Sequence, residues 1–202
     1  MDILIATTNP GKLKEYRDLL AGLPVNLLSL ADVGLAKLDV AETGATFTAN
    51  AELKARAYAA ASGKWALADD SGLCVDALDG KPGVYSARYG GPGLDDVGRR
   101  QTLLAELAEV AADERGAQFE CVIALIAPDD DAQPHFAQGT VRGTITTEEH
   151  DDGHGFGYDP VFVPDGHSRT FAQMDKAEKS TLSHRGRAVI ALGDVLRTLL
   201  AK

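Results

Sequence analysis

The sequence predicts an α/β fold around a mixed β-sheet, and three observations carry that reading. A short apolar run, Ile3 to Ala6, opens the chain with the length of a buried strand. Helical and strand patterns then alternate through the first half of the chain. Two long strand-like segments, Phe119 to Ala127 and Phe136 to Thr146, come late, around a turn at Pro128–Ala132. Early alternation followed by a strand pair is the pattern of a mixed sheet with helices around it.

Each element has a local cause. The first strand breaks at Thr7-Thr8-Asn9-Pro10-Gly11, and Leu13, Tyr16, Leu19 and Leu20 then recur at helical spacing. Asn9 suits the N-cap and Pro10 the first helical position. Leu27 to Leu30 reads as a second strand, and Thr46 to Ser62 as a long Ala-rich helix capped by Thr46 or Thr43. Trp65 to Ala68 is a short strand that runs into Asp69-Asp70-Ser71-Gly72. A Gly-rich loop over Gly80–Gly93 precedes a helix from Asp95 to Val110, with Leu103, Leu104 and Leu107 on one face. Gly153 to Gly157 reads as loop and Val161 to Val163 as a brief strand. An amphipathic helix runs from about Arg187 to Leu200. With no repeat or linker, the 202 residues form one domain, or one domain with two lobes.

Composition narrows the function classes. Hydrophobic residues at 45% and charged residues at 25% are ordinary for a globular protein. Thirty acids against 20 Lys and Arg leave a net charge of −10. Such a surface repels polymeric nucleic acid and anionic membranes. A small anion can still bind where local cations or a metal reverse the field. Cys74 and Cys121 sit in apolar runs and form no Cys-x-x-Cys pair, so they read as buried thiols in a reducing cytoplasm. Met1-Asp2-Ile-Leu-Ile-Ala does not have the form of a signal peptide. No apolar stretch nears the roughly 20 residues of a membrane helix. The expected location is the cytoplasm.

Five constellations could carry chemistry, and each has a plain alternative. Thr7-Thr8-Asn9-Pro10-Gly11-Lys12 joins a strand to a helix start, where backbone N–H groups, the helix dipole and Lys12 can receive an anion. It lacks the second glycine of a Walker A loop, and an ordinary helix start looks similar. Glu42-Thr43-Gly44 precedes Asn50 and Lys54, which share a helix face and could reach one anionic group, or form a solvated polar stripe. Asp69-Asp70-Ser71-Gly72 ends a strand, where alternation sends the two acids to opposite sides. A carboxylate there can hold Mg²⁺ and accept a proton from water, with Glu42 a sensible second ligand and Ser71 a donor to phosphate. The same residues also suit an Asp-capped turn. Gly155-Phe156-Gly157-Tyr158-Asp159 can lay a ring on a flat base, or be an aromatic-anchored surface loop. Lys179, His184 and Arg185 can donate to carbonyl oxygens of a base, or cap the last helix.

Together these are the parts of a nucleoside triphosphate site. The sequence also resembles the inosine triphosphate pyrophosphatase family, enzymes acting on deaminated purine nucleotides. The matching stretches are TTNPGK at 7–12, ETGATFTANAELKARA at 42–57 and ADDSGLCVDAL at 68–78, with PGVYSARYGG at 82–91, FGYDPVFVP at 156–164 and EKSTLSHRGRA at 178–188. They follow the family's order across nearly the whole chain.

The resemblance implies hydrolysis of dITP, ITP and XTP to the monophosphate and pyrophosphate, with Mg²⁺, by a homodimer. It implies an elongated mixed sheet flanked by helices, with two lobes and an active-site cleft between them. Thr7, Thr8, Asn9, Pro10, Gly11 and Lys12 would bind the triphosphate. Glu42 and Asp70 would bind Mg²⁺, and Asp70 would also accept the proton of the attacking water. Ser71 would touch the substrate. Phe156, Gly157, Tyr158, Asp159 and Lys179 would hold the nucleotide, while His184 and Arg185 would read the purine. Lys54 and Arg88 would lie near the phosphates. A non-catalytic nucleotide-binding regulator would not need Glu42 and Asp70. A Maf-like enzyme for modified pyrimidines would not need FGYD with His184 and Arg185.

Overall fold

The computed structural model describes residues 1–129 and 131–201. Among the described residues, six strands form one mixed sheet in the order β2-β1-β3-β4-β5-β6. β1 (Asp2–Ile5) pairs in parallel with both β2 (Asn26–Ser29) and β3 (Trp65–Val75). β5 (His135–Ile145) pairs antiparallel with β6 (Phe162–Pro164), and β4 (Gly116–Ile126) lies between β3 and β5. Asp130 lies outside the described residues, so the expected 128–132 turn is described only in part.

Five helices accompany the strands among the described residues: α1 (Pro10–Leu19), α2 (Phe47–Ser62), α3 (Asp96–Glu106), α4 (Lys176–Leu182) and α5 (His184–Leu200). α1 starts as its sequence dictates. Asn9 Oδ1 accepts from the Gly11 and Lys12 amides at 2.8 and 3.2 Å, with Pro10 opening the helix. α2 is capped by Thr46 Oγ1, which accepts from the Ala49 amide at 3.1 Å. It stops at Gly63, whose φ of 63° is the left-handed conformation a helix end favours.

The chain forms two compact units. The first comprises Met1–Asp70, Cys121–Gly139 and Gly186–Lys202; the second comprises Ser71–Glu120 and Thr140–Arg185. In the first, Ile3, Ile5 and Leu67 of the parallel strands pack with Tyr16 of α1, with Leu20 at its C-terminal cap, and with Ala188, Val189, Leu192 and Leu196 of α5. The second has its own core, in which Phe119, Phe162 and Phe171 cluster at centroid distances of 4.7 to 6.1 Å. Aromatic pairs of this kind each contribute about 0.5–1.5 kcal/mol beyond area burial.

Three departures from the sequence reading bear on the site. β3 does not stop at Ala68 but continues to Val75, so Asp69, Asp70 and Ser71 lie within a strand and not in a turn. α4 was not read, because seven residues are too few to show a helical period. α5 begins at His184, three residues before the expected start, which puts His184 and Arg185 in its first turn.

Candidate active site

In the first unit, β3 presents its two adjacent acids to different helices. Strand alternation sends Asp69 to the α1 side, where its Oδ2 lies 2.8 Å from Lys12 Nζ. Asp70 turns the other way, and its Oδ2 accepts from Asn50 Nδ2 of α2 at 3.0 Å. Both acids are buried, so each is held by polar partners as buried charges require.

Glu42 and Lys54 complete this group. Lys54 Nζ lies 2.6 Å from Glu42 Oε1 and 3.8 Å from Asp70 Oδ1. The sequence placed Asn50 and Lys54 on one helix face and asked whether they reach a common anion. They do, and the anion is Asp70. Two carboxylates drawn to one cation are an oxygen-only donor pair of the kind Mg²⁺ takes when phosphates supply its remaining ligands. The residues therefore fit that ion. Among the described residues, no group of three or more His, Cys, Asp or Glu side chains could hold a metal unaided.

The first loop is arranged differently from its sequence reading. The Gly11 and Lys12 amides are engaged by Asn9 Oδ1, and the Asn9 amide donates to Thr7 Oγ1 at 3.2 Å. These amides are not open to an anion as the loop stands. Lys12 is likewise paired with Asp69. Thr8, Asn9, Pro10 and Gly11 are exposed, and Thr7 and Lys12 are half-buried.

In the second unit, Asp159 organises the aromatic loop. Its Oδ2 accepts from the Phe156 amide at 2.8 Å and forms an ion pair with Lys179. Lys179 Nζ also sits 4.7 Å from the centre of the Phe156 ring, a cation–π contact. Phe156 is 55% exposed, so its ring is available to stack on a flat group. Tyr158 differs: it is 6% exposed within the core, and its hydroxyl donates to the Ser86 carbonyl at 2.9 Å. Burial pushes that phenol up from its ordinary range. Of the loop's two aromatics, Phe156 faces out and Tyr158 anchors the loop.

Gly157 is clamped from α3. Its amide donates to Asp96 Oδ2 at 3.0 Å and its carbonyl accepts from Arg100 Nη1 at 2.8 Å. Gly155 is close-packed, since a Cβ there would lie 2.7 Å from the Asp159 Cβ and 2.8 Å from the Ala172 Cβ. His184 is buried and stacks on Phe119 at 4.7 Å with rings 10° from parallel; Arg185 beside it is buried too. Ser71 is half-buried on β3. Arg88 is exposed, its guanidinium 5.1 Å from the centre of the Tyr85 ring.

Asp69, Asp96, Arg100 and Phe119 were missed as partners of site residues. A strand acid beside Asp70 was visible in the sequence. Arg100 had no local signal, because its partner lies 57 residues away.

The model of the Ham1 family matches residues 3–195. This chain belongs to the Ham1 family. A relative from Xanthomonas oryzae pv. oryzae named dITP/XTP pyrophosphatase is 47% identical over 197 residues, 98% of each chain. One of the same name from Streptomyces coelicolor is 46% identical over 200 residues, again 98% of each chain. Among solved structures, a HAM1 protein from Coxiella burnetii superposes with a TM-score of 0.91 at 40% identity, covering 98% of this chain and 99% of that one. The Staphylococcus aureus Ham1 protein gives 0.88 at 38% identity, covering 98% and 100%. The mixed sheet with flanking helices is thus the Ham1 fold.

Proposed function

We propose that this Ham1 family member is a Mg²⁺-dependent pyrophosphatase for deaminated purine nucleoside triphosphates. It hydrolyses dITP, ITP and XTP at the α–β phosphoanhydride to the monophosphate and pyrophosphate. The observation that carries the chemistry is the convergence of Glu42 and Asp70 on one cation, Lys54. The named relatives, aligned over almost their full length, support the substrate class.

Bound Mg²⁺ supplies charge neutralisation on the phosphate oxygens, the main requirement of phosphoryl transfer. Glu42 and Asp70 hold it. Asp70 also takes the proton of the attacking water. Thr7–Gly11 and Lys12 bind the triphosphate, an anion that competes with Asp69 for the Lys12 ammonium. Ser71 donates to a phosphate oxygen, with Lys54 and Arg88 nearby. Phe156 stacks on the base, held in place by the fixed Gly157–Asp159 segment and Lys179. His184 and Arg185 donate to the 6-oxygen of hypoxanthine or xanthine. Adenine carries an amino group there, and a site built to hydrogen-bond one group rejects its replacement by roughly 10⁴–10⁵.

Among the described residues no helix is long and apolar enough to cross a membrane. A cytoplasmic homodimer completes the proposal, and light scattering on the purified protein tests the dimer. The central experiment is a rate comparison of dITP, XTP, dATP and dGTP, with pyrophosphate and phosphate measured separately. Preference for dITP and XTP with pyrophosphate as product is expected. Equal turnover of all four, or release of single phosphates, would overturn the reading.

A further inference from the structure

We propose that Asn50 is a positioning residue that fixes both carboxylates of the metal site. This rests on the reading of Glu42 and Asp70 as Mg²⁺ ligands.

Asn50 has no exposed surface, and both ends of its amide are used. Its Oδ1 accepts from the Gly44 amide at 2.7 Å. Its Nδ2 donates to Asp70 Oδ2 at 3.0 Å. One side chain thus ties the segment that carries Glu42, two residues before Gly44, to the acid on β3. A buried asparagine with both functions engaged has one orientation that satisfies them, since a flip would set two donors or two acceptors face to face.

The backbone has adapted to this link. A Cβ at Gly44 would meet Asn50 Oδ1 at 2.7 Å and the Ala49 Cβ at 2.7 Å. Only a glycine lets the loop come close enough for its amide to reach the Asn50 oxygen. α2 holds the link from the other side, because Lys54, one turn beyond Asn50, spans Glu42 and Asp70. The amide fixes Asp70 through Oδ2, while Oδ1 is the oxygen 3.8 Å from the Lys54 ammonium. Asn50 therefore sets which carboxylate oxygen faces the cation position. Partners that orient metal ligands typically change metal affinity or activity by about 10- to 100-fold when removed.

The test uses Asn50→Ala and, independently, Gly44→Ala, which displaces the Asn50 amide without deleting it. Mn²⁺ binding to the full-length protein is followed by electron paramagnetic resonance without nucleotide. The Mg²⁺ concentration for half-maximal dITP hydrolysis and the melting temperature are measured alongside. Both variants are expected to bind Mn²⁺ about 10- to 100-fold more weakly and to need correspondingly more Mg²⁺. The KM for dITP at saturating Mg²⁺ should stay within about threefold. A purely structural role would lower the melting temperature and leave the metal dependence of the folded enzyme unchanged, and that result overturns the proposal. If either variant does not fold, the other decides, with Asn50→Ser as the milder replacement. Asp70→Asn is the control. Loss of Mn²⁺ there, with wild-type binding in the Asn50 variants, overturns the positioning role alone. Unchanged binding in Asp70→Asn means the metal-site reading itself has failed.

Discussion

Lys12 Nζ and Asp69 Oδ2 lie 2.8 Å apart, and the two side chains differ sharply in exposure, at 21% and 3%. That asymmetry makes the pair unequal to mutation. Lys12→Met leaves a buried carboxylate without this cation, whereas Asp69→Asn leaves an ammonium that can still reach water. Lys12→Met is expected to cost roughly 3 kcal/mol, the lower end for breaking a buried pair, and Asp69→Asn about 1 kcal/mol. Urea unfolding of both variants checks the order, and a reversed order would refute the account.

Asp70→Asn is expected to leave under about 1% of wild-type dITP hydrolysis, since losing a general base alone costs about 10²–10⁴ and a metal ligand is lost with it. Near-normal turnover would remove Asp70 from the chemistry.

Phe156 and Tyr158 should separate cleanly. Phe156→Ala is expected to raise KM by about 5- to 150-fold, the value of one stacked base, with little change in melting temperature. Tyr158→Phe should cost about 1 kcal/mol of stability through the lost bond to Ser86 and leave KM unchanged. Steady-state kinetics and thermal melts on the same preparations make the comparison.

Cys74 should be slow to alkylate. Burial, then the nearby Glu120 and Asp76 carboxylates, push its thiol up from 9.0 to about 11. At pH 8 its thiolate fraction is then about 100-fold below that of an unshifted thiol, and iodoacetamide should react correspondingly slowly.

The same shift gives a stability window. The folded protein holds Cys74 neutral where the unfolded chain would ionise it. The contribution is full below pH 9.0 and is lost as pH rises towards 11. Tyr58, raised mainly by burial, acts in the same direction at still higher pH. Chemical unfolding from pH 8 to 11 should show wild type losing more stability than Cys74→Ala.

Much of this was legible from residue order. The Asn9 cap with Pro10, the Thr46 cap and the shared face of Asn50 and Lys54 are local features, and local physics fixes them. What was not legible depends on distant partners. Asp69 and Asp70 looked like the end of a strand because Ser71 and Gly72 are turn-formers in isolation. The pairing of β3 within the sheet overrides that preference and carries the strand to Val75. Which of Phe156 and Tyr158 could lie on a base was not legible, because alternation says nothing in a loop and the Tyr158 partner carbonyl at Ser86 is 72 residues away. The open amides expected at Gly11 and Lys12 were turned inward by the same Asn9 that makes the helix start recognisable.

The unbroken run of β3 through Asp69 and Asp70 has a consequence for how this gene can vary. The two acids are delivered to α1 and to α2 only by their parity along the strand. Deleting one residue between Trp65 and Ala68 would exchange their addresses, sending the Asp70 side chain towards Lys12. A substitution in that segment leaves the parity intact, whereas a single-codon insertion or deletion reverses it. Its length is therefore constrained separately from the packing of its buried side chains.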